Sequence, residues 1–492
     1  MAQGEESIDT APRCVGSTLE TFNCSVADTA QREIAVSNAP EAGTAQDSNA
    51  SSSTDNQEAY KGSNFFKSAQ WSPDGTCIFT NSEDNKLRTF VLPVDLLETP
   101  TTHHLSAYST ITCPEPVYAS ALYPGFNLQD GATTLALSSI RDHPIQLHSA
   151  LAPTLLASYP HVCPTTEKFI TPHSLLFAPD GISFLAGSDS LISIFDVNRP
   201  GEGPFTRMPT IPSKRKKLVG GGVGMKGIVS ALSMSALDGL VAAGTFSRCI
   251  GLYAAQGRGD CVAVFSVVDE KDQRHGRGLA QRPDDLSDLS TSVETTAGTR
   301  DREGNVPPPN YKYAPGAGIT QTAWSPCGRY LYVAERKSSG IIVYDIRVTG
   351  QKLGRLEGRS AHTNQRLGMD VVRVDDTHEV WAGGDDGMVR VWENAAQKEG
   401  IQFPSWEWRA HGDPVGSTAV HPCGTVIATC SGQRKVEALF EESSDSESDS
   451  ESEPEPEAED VVRGQKGMGD KVGRVKKSRE IQRDNSLKIW SI

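Results

Sequence analysis

"NFFKSAQWSPDGTCIFTNSEDNKLRTFVLP", Asn64 to Pro93, decides the fold. Its first apolar run ends in Trp71, and Ser72-Pro73-Asp74-Gly75 follows. These are turn residues for separate reasons: Pro presets φ, Asp bonds its own backbone, and Gly accepts positive φ. "TCIFTNS" reads as a second strand, Glu83-Asp84-Asn85 as an acidic turn, and "KLRTFVL" as a third strand. β-Branched and aromatic runs bounded by turn clusters are the sequence mark of strands.

The same order returns in "SLLFAPDGISFLAGSDSLISIFDV" (Ser174 to Val197), "QTAWSPCGRYLYVAERKSSGIIVYDI" (Gln321 to Ile346) and "GSTAVHPCGTVIATCSGQR" (Gly416 to Arg434). Weaker copies run from Val117 to Ser149, Ile228 to Ala254 and Gly368 to Asn394. With insertions set aside, the seven copies repeat every ~40–50 residues, which predicts an all-β, seven-bladed WD-repeat β-propeller. A blade cannot bury both of its faces alone, and closing the ring buries them.

Composition divides the chain. Hydrophobic content is 37% and net charge −15 over 492 residues. Glu441 to Asp460 holds 11 acidic residues and no basic ones, which leaves the remainder nearly neutral. Residues 1–58, rich in Ser, Ala, Asn, Gln and Glu, are too polar to offset ordering entropy and are expected to be disordered. The propeller is then 59–492, interrupted by insertions at about 198–227, 267–312 and 437–483, the last two also expected to be disordered. The third strand of the seventh blade becomes the C-terminal "NSLKIWSI", and its outer strand is expected near residues 57–63. The N-terminus has no basic n-region and no apolar run, so no signal peptide is expected. No apolar stretch reaches the ~18 residues of a membrane span. The ten cysteines contain no C-x-x-C pair and read as reduced thiols, so no metal or cofactor is expected.

Chemistry concentrates at one position of the repeat, the turn between the second and third strands. Blades one, three and six have acids there: Glu83 and Asp84, Asp189, Asp385 and Asp386. Blades two, four, five and seven have Arg141, Arg248, Arg336 with Lys337, and Arg434. Arg366, in "HTNQRLG", opens blade six near the same face. Repeat geometry puts these cations on a common rim. A guanidinium is a planar fork suited to phosphate and to the guanine edge. Such a rim could hold a short unpaired nucleic-acid segment, with His143 or His362 stacking on a base. The alternative is that each arginine pairs with a neighbouring acidic turn or with solvent.

Other signals are weaker. "GVGMKG" (Gly222 to Gly227) matches a phosphate-loop pattern but follows no strand. His411 in "RAHGDP" suits a structural network of His, hydroxyl, Asp and Trp. Lys214, Arg215, Lys216 and Lys217, and Lys476, Lys477 and Arg479, are each a nuclear import signal or a solvated loop. Ser444, Ser446, Ser448, Ser450 and Ser452 each have an acid three residues on, which suits an acid-directed kinase. No paired-carboxylate cleft or nucleophile elbow is evident, so catalysis is not expected.

"NFFKSAQWSPDGTCIFTNSEDNKLR", "SSIRDHPIQLH", "TNQR" and "ATCSGQR" resemble the telomerase Cajal body protein family, WD-repeat proteins with a fungal splicing-linked branch. The likeness spans all seven units. It implies binding of small Cajal body or small nuclear RNA, with ribonucleoprotein proteins as partners and, in some members, telomerase. It also implies that Arg141, Arg248, Arg336, Lys337, Arg366 and Arg434 occupy basic positions of the family pattern. The expectation is a monomeric, nuclear scaffold with some cytoplasmic presence and a Cajal body association, with no membrane and no DNA partner. The rival expectation is a protein interaction platform in pre-mRNA splicing that does not touch RNA.

Overall fold

The computed structural model describes residues 11–18, 64–211, 225–268, 311–348, 350–434 and 484–492. Apart from one 3-10 turn at Ala255–Gly257, the regular structure there is strand. It forms seven sheets, each with four antiparallel strands in blade order; the sheets of blades five and seven each add a short parallel fifth strand, Gly400–Gln402 and His103–His104. Blade one is Phe66–Trp71, Cys77–Ser82, Lys86–Val91 and Ser109–Thr112. Blade two is Val117–Leu122, Leu135–Ile140, Ile145–Ser149 and Leu155–Tyr159. The pattern continues to blade seven, which is Val415–Val420, Val426–Ser431, Leu487–Ser491 and Arg13–Ser17. The propeller read from the repeats is therefore the fold.

The apolar core is divided into seams rather than gathered in one centre. Seven clusters each join two successive blades, from Cys77, Phe79 and Leu87 against Val117 and Ile140 round to Trp381 and Val391 against Ile427 and Trp490. Second strands such as Cys77–Ser82, Ser183–Ser188 and Val426–Ser431 are buried along their whole length. Both of their faces are covered, so they lose the apolar-polar alternation of a half-exposed strand. The turn between first and second strands is the one read from Ser72-Pro73-Asp74-Gly75. Ser72 Oγ donates to Asp74 Oδ1 at 2.6 Å, and Gly75 has φ +73°. Gly181, Gly328 and Gly424 repeat that backbone at the same turn.

The ring closes differently from the sequence expectation. The outer strand of blade seven is Arg13–Ser17, inside the segment that composition assigned to disorder, and not a strand near 57–63. Residues 57–63 lie outside the described residues. Arg13–Ser17 runs antiparallel to Leu487–Ser491, and Val15, 1% exposed, packs with Phe66, Leu487 and Ile489. One valine between Cys14 and Gly16 is too short a pattern to stand out; its partner strand supplies the specificity. The inner strands of blades one and seven are bonded as well, through Trp71 Nε1–H to Ala419 O at 2.8 Å and Ser417 Oγ–H to Ala69 O at 2.8 Å. A second correction concerns 198–227, read as a linker. Thr206–Pro209 is the fourth strand of blade three, and Met225 plugs the seam between blades three and four.

The His411 network forms as the residue types suggest. Trp490 Nε1–H donates to Thr429 Oγ1 (2.8 Å), whose hydroxyl bonds His411 Nε2 (2.8 Å). His411 Nδ1 faces Asp484 Oδ2 at 3.3 Å. This ties the strand that follows the long insertion to the strand that precedes it. Burial lowers the His411 pKa below its ordinary value. Burial alone would raise Asp484, but the His411 hydrogen bond and charge, Ser486 and the Gly412 N–H outweigh it and hold the carboxyl well below the usual range. Both shifts make the folded state bind fewer protons than the unfolded chain. Their stabilisation is complete above about pH 6.5 and drains away as pH falls, His411 first and Asp484 below about pH 4. The melting temperature is expected to drop on acidification from pH 7 to 5, and His411→Gln to flatten that dependence; equal slopes would contradict this.

Candidate nucleic-acid interface

The first strands of all seven blades surround an axial channel of about 1110 Å³. Its mouth is made where the turns between second and third strands meet the connections between blades. In several first strands the register slips by one residue, at Phe66/Ser68, Val117/Ala119, Val229/Ala231, Ile319/Gln321 and Val415/Ser417. A bulge re-aims the extra side chain. The residues inserted there include Lys67, Tyr118, Ser230 and Thr320, and all of them line the channel.

The connection into blade six carries Thr363-Asn364-Gln365-Arg366 and is held from beneath. Arg359, 1% exposed, donates to the carbonyls of Gly383 (3.0 Å), Leu367 (2.7 Å) and Gly368 (3.3 Å). Burial, with the charge of Arg390, pulls its pKa down to about 10. Gln365 Nε2–H reaches Gly432 O at 2.9 Å, and Arg434 bonds Glu83. Thus "TNQR", "SGQR" and the "NFFKSAQ" strand, distant in sequence, converge on one opening.

The predicted rim residues divide into groups. Arg336 and Arg366 reach one ring, with guanidinium carbons 4.6 and 5.6 Å from the centroid of Phe246. Their polar partners are carbonyls, Ala317 O and His173 O, and among the described residues neither has a carboxylate partner. Burial and then the charge of Arg336 lower the Arg366 pKa. Arg434 keeps 64% of its side chain exposed while bonding Glu83. Lys337 is exposed with φ +51°. Arg248, by contrast, is clamped: Nε and Nη2 meet the buried Glu335 at 2.7 and 3.0 Å, and Nη2 also donates to Pro315 O. Its fork is spent on joining blades four and five. Arg141 pairs with Glu115, and His143 Nδ1 bonds Arg141 O at 2.7 Å; neither lines the channel, and Arg336 and Lys337 do not line it either but touch its wall residues, Phe246 and Thr363. His362 is exposed, with its backbone N–H on Asp385.

Sequence reasoning missed Lys67, Phe246, Tyr118 and His173. Lys67 Nζ lies 3.7 Å from Glu83, and burial with the nearby Arg434 charge takes its pKa down to about 8. Tyr118 and His173 stack at 4.7 Å with 13° between their planes. Deeper in the channel, burial pushes Asp370 up to about 6 against bonds from the Val420 and Val371 N–H groups. The basic clusters at 214–217 and 476–479 and the serines at 444–452 lie outside the described residues. Among those residues no group of three His, Cys, Asp or Glu could hold a metal ion, and no helix is long and apolar enough to cross a membrane. The mouth is thus a cationic, aromatic surface, able to take anions and flat rings together.

No protein-family model matches the chain. It is 28% identical over 392 residues to human telomerase Cajal body protein 1, covering 78% of this chain and 59% of that protein. It is 28% identical over 342 residues to guanine nucleotide-binding protein negative regulator 1 of Schizosaccharomyces pombe, covering 69% of this chain and 73% of that one. A shorter match, 30% over 136 residues, is to protein SWT21 of Kluyveromyces lactis, covering 26% of this chain and 32% of that protein. The chain spans about three fifths of the length of the telomerase Cajal body proteins it matches. Across most of its propeller, this chain is similar in sequence to the telomerase Cajal body proteins of mammals, to the homologue of Drosophila melanogaster and to the Schizosaccharomyces pombe regulator protein.

Proposed function

We propose that the chain is a non-catalytic RNA-binding scaffold, holding an unpaired segment of a small nuclear or small Cajal body RNA at the channel mouth. The observation that carries this reading is the pair of guanidinium groups of Arg336 and Arg366 gathered on Phe246 without a counter-carboxylate among the described residues. Two like charges held together are costly unless an anion shares them, and phosphate is the anion that arrives with rings to stack. Arg434, Lys67 and Lys337 extend the cationic edge. The relatives' names support nuclear residence and ribonucleoprotein partners.

The reading is tested by the affinity of the full chain for short single-stranded RNA. Arg336→Ala, Arg366→Ala and Arg434→Ala are each expected to weaken it about tenfold. Arg347→Ala is the control: this exposed residue pairs with Asp345 at the end of the third strand of blade five, away from the mouth, and should leave affinity unchanged. If all three mouth variants bind as the parent does, the reading is wrong. Capture of an acidic peptide by the same arginines, with no RNA bound, would favour the protein platform.

A further inference from the structure

The turn between first and second strands is Ser72-Pro73-Asp74-Gly75-Thr76 in blade one and His421-Pro422-Cys423-Gly424-Thr425 in blade seven. An imidazole stands where blade one has a hydroxyl, and a thiol where it has a carboxylate. The two replacements meet. His421 Nδ1 lies 2.8 Å from Cys423 Sγ and accepts the Cys423 backbone N–H at 3.0 Å. On the other side of the ring, Nε2 lies 3.1 Å from the carbonyl oxygen of Gly75, in blade one. A carbonyl only accepts, so Nε2 carries the proton and Nδ1 the lone pair. Trp71 packs edge-on against the imidazole, with centroids 4.7 Å apart at 87°. The contacts that close the ring therefore set the tautomer and the aim of a base directed at a thiol. Thr425 Oγ1, 3.0 Å from the same sulfur, is placed to donate to a thiolate. Cys423 is exposed, and a Cβ added at Gly424 would meet nothing within 4 Å, so a reagent has open approach. A nucleophile, a base within bonding reach and a third group that orients the base form the pattern of an activated nucleophile.

We propose that Cys423 is a thiol modification site for low-molecular-weight disulfides, with His421 as its base. His421 Nδ1 takes the Sγ proton, and the thiolate attacks one sulfur of the disulfide. A new S–S bond forms on Cys423 as the old one breaks. The departing thiolate takes the proton back from Nδ1. Cys423 is oxidised to a mixed disulfide and the departing sulfur is reduced to a thiol, so no other oxidant is needed. The first-to-second turns lie at the strand ends opposite the channel mouth, and the proposal does not rest on the RNA reading.

The test exposes the full chain to oxidised glutathione and follows each cysteine by peptide mass. Cys327 is the internal control. It is an exposed thiol at the same turn position of blade five, with Ser325 Oγ at 3.3 Å where blade seven has the imidazole. Arg347 lends Cys327 a nearby charge, but a guanidinium takes no proton. In the unaltered protein, where no variant has to fold, Cys423 is expected to form the mixed disulfide about tenfold faster than Cys327. His421→Asn should bring Cys423 down to the Cys327 rate and leave Cys327 unchanged. Equal rates in the unaltered protein, or a fast Cys423 that is indifferent to His421→Asn, would overturn the proposal.

Discussion

Deleting residues 1–18 lowers the stability of the whole ring by about 4–6 kcal/mol. Burying a valine contributes about 1.5–3 kcal/mol, and Val15 is almost fully buried in the seam of blades seven and one. The strand pairs Arg13, Cys14, Gly16 and Ser17 with residues of Leu487–Ser491, and Thr18 exchanges two more bonds with Leu487. Each such bond contributes about 1 kcal/mol net. The sum rivals the net stability of about 5–15 kcal/mol that a folded protein has. The loss also bares Leu487–Ser491 as an edge. Urea denaturation is expected to show a much lower midpoint, and Val15→Asp to reproduce most of the effect through a buried, unpaired charge. An unchanged midpoint after deletion would mean that the ring closes without this strand.

Arg359→Met carries the second large effect, and it acts at a distance from any ligand. Methionine fills much of the volume but donates nothing, so the Gly383, Leu367 and Gly368 carbonyls lose a buried partner. An unsatisfied buried group costs about 1–3 kcal/mol. Relief from burying a charge offsets part of this. The net loss is about 3 kcal/mol. Because Leu367 and Gly368 end the loop that carries Arg366, RNA affinity is expected to fall with stability, although Arg359 does not reach the mouth. Arg359→Lys should recover little, since a single ammonium cannot span three carbonyls. Full stability and full RNA affinity in Arg359→Met would remove Arg359 from its positioning role.

The sequence made blade number, inner three strands and turns legible because each rests on a strong local signal. Ser-Pro-Asp-Gly and its variants mark one turn in four blades, and the buried second strands carry short apolar runs such as Cys77-Ile78-Phe79. Outer strands such as Leu155–Tyr159, Thr206–Pro209 and Trp406–Arg409 did not stand out. They are half exposed, short and without a clean period. Arg13–Ser17 was hidden because it is short, and its partner lies at the far end of the chain.

The site was legible only in part. A repeated turn position exposed Arg336 and Arg434 but could not say that Arg248 would be answered by Glu335, because that pairing runs between blades. Lys67 and Tyr118 face the channel through bulges, and a one-residue slip has no sequence signature. Phe246 stood beside Arg248 in the same turn, yet its partners Arg336 and Arg366 arrive from blades five and six.

The central claim, that the channel mouth takes up a nucleic-acid backbone, is tested most directly by the salt dependence of RNA binding by the full chain. Single-stranded contacts contribute a slope of about −0.7 per neutralised phosphate in log affinity against log salt. Arg336, Arg366 and Arg434 together predict a slope of about −2, flattened by about 0.7 in each single alanine variant. A steep slope that none of these substitutions changes would put the RNA elsewhere on the molecule and contradict the account.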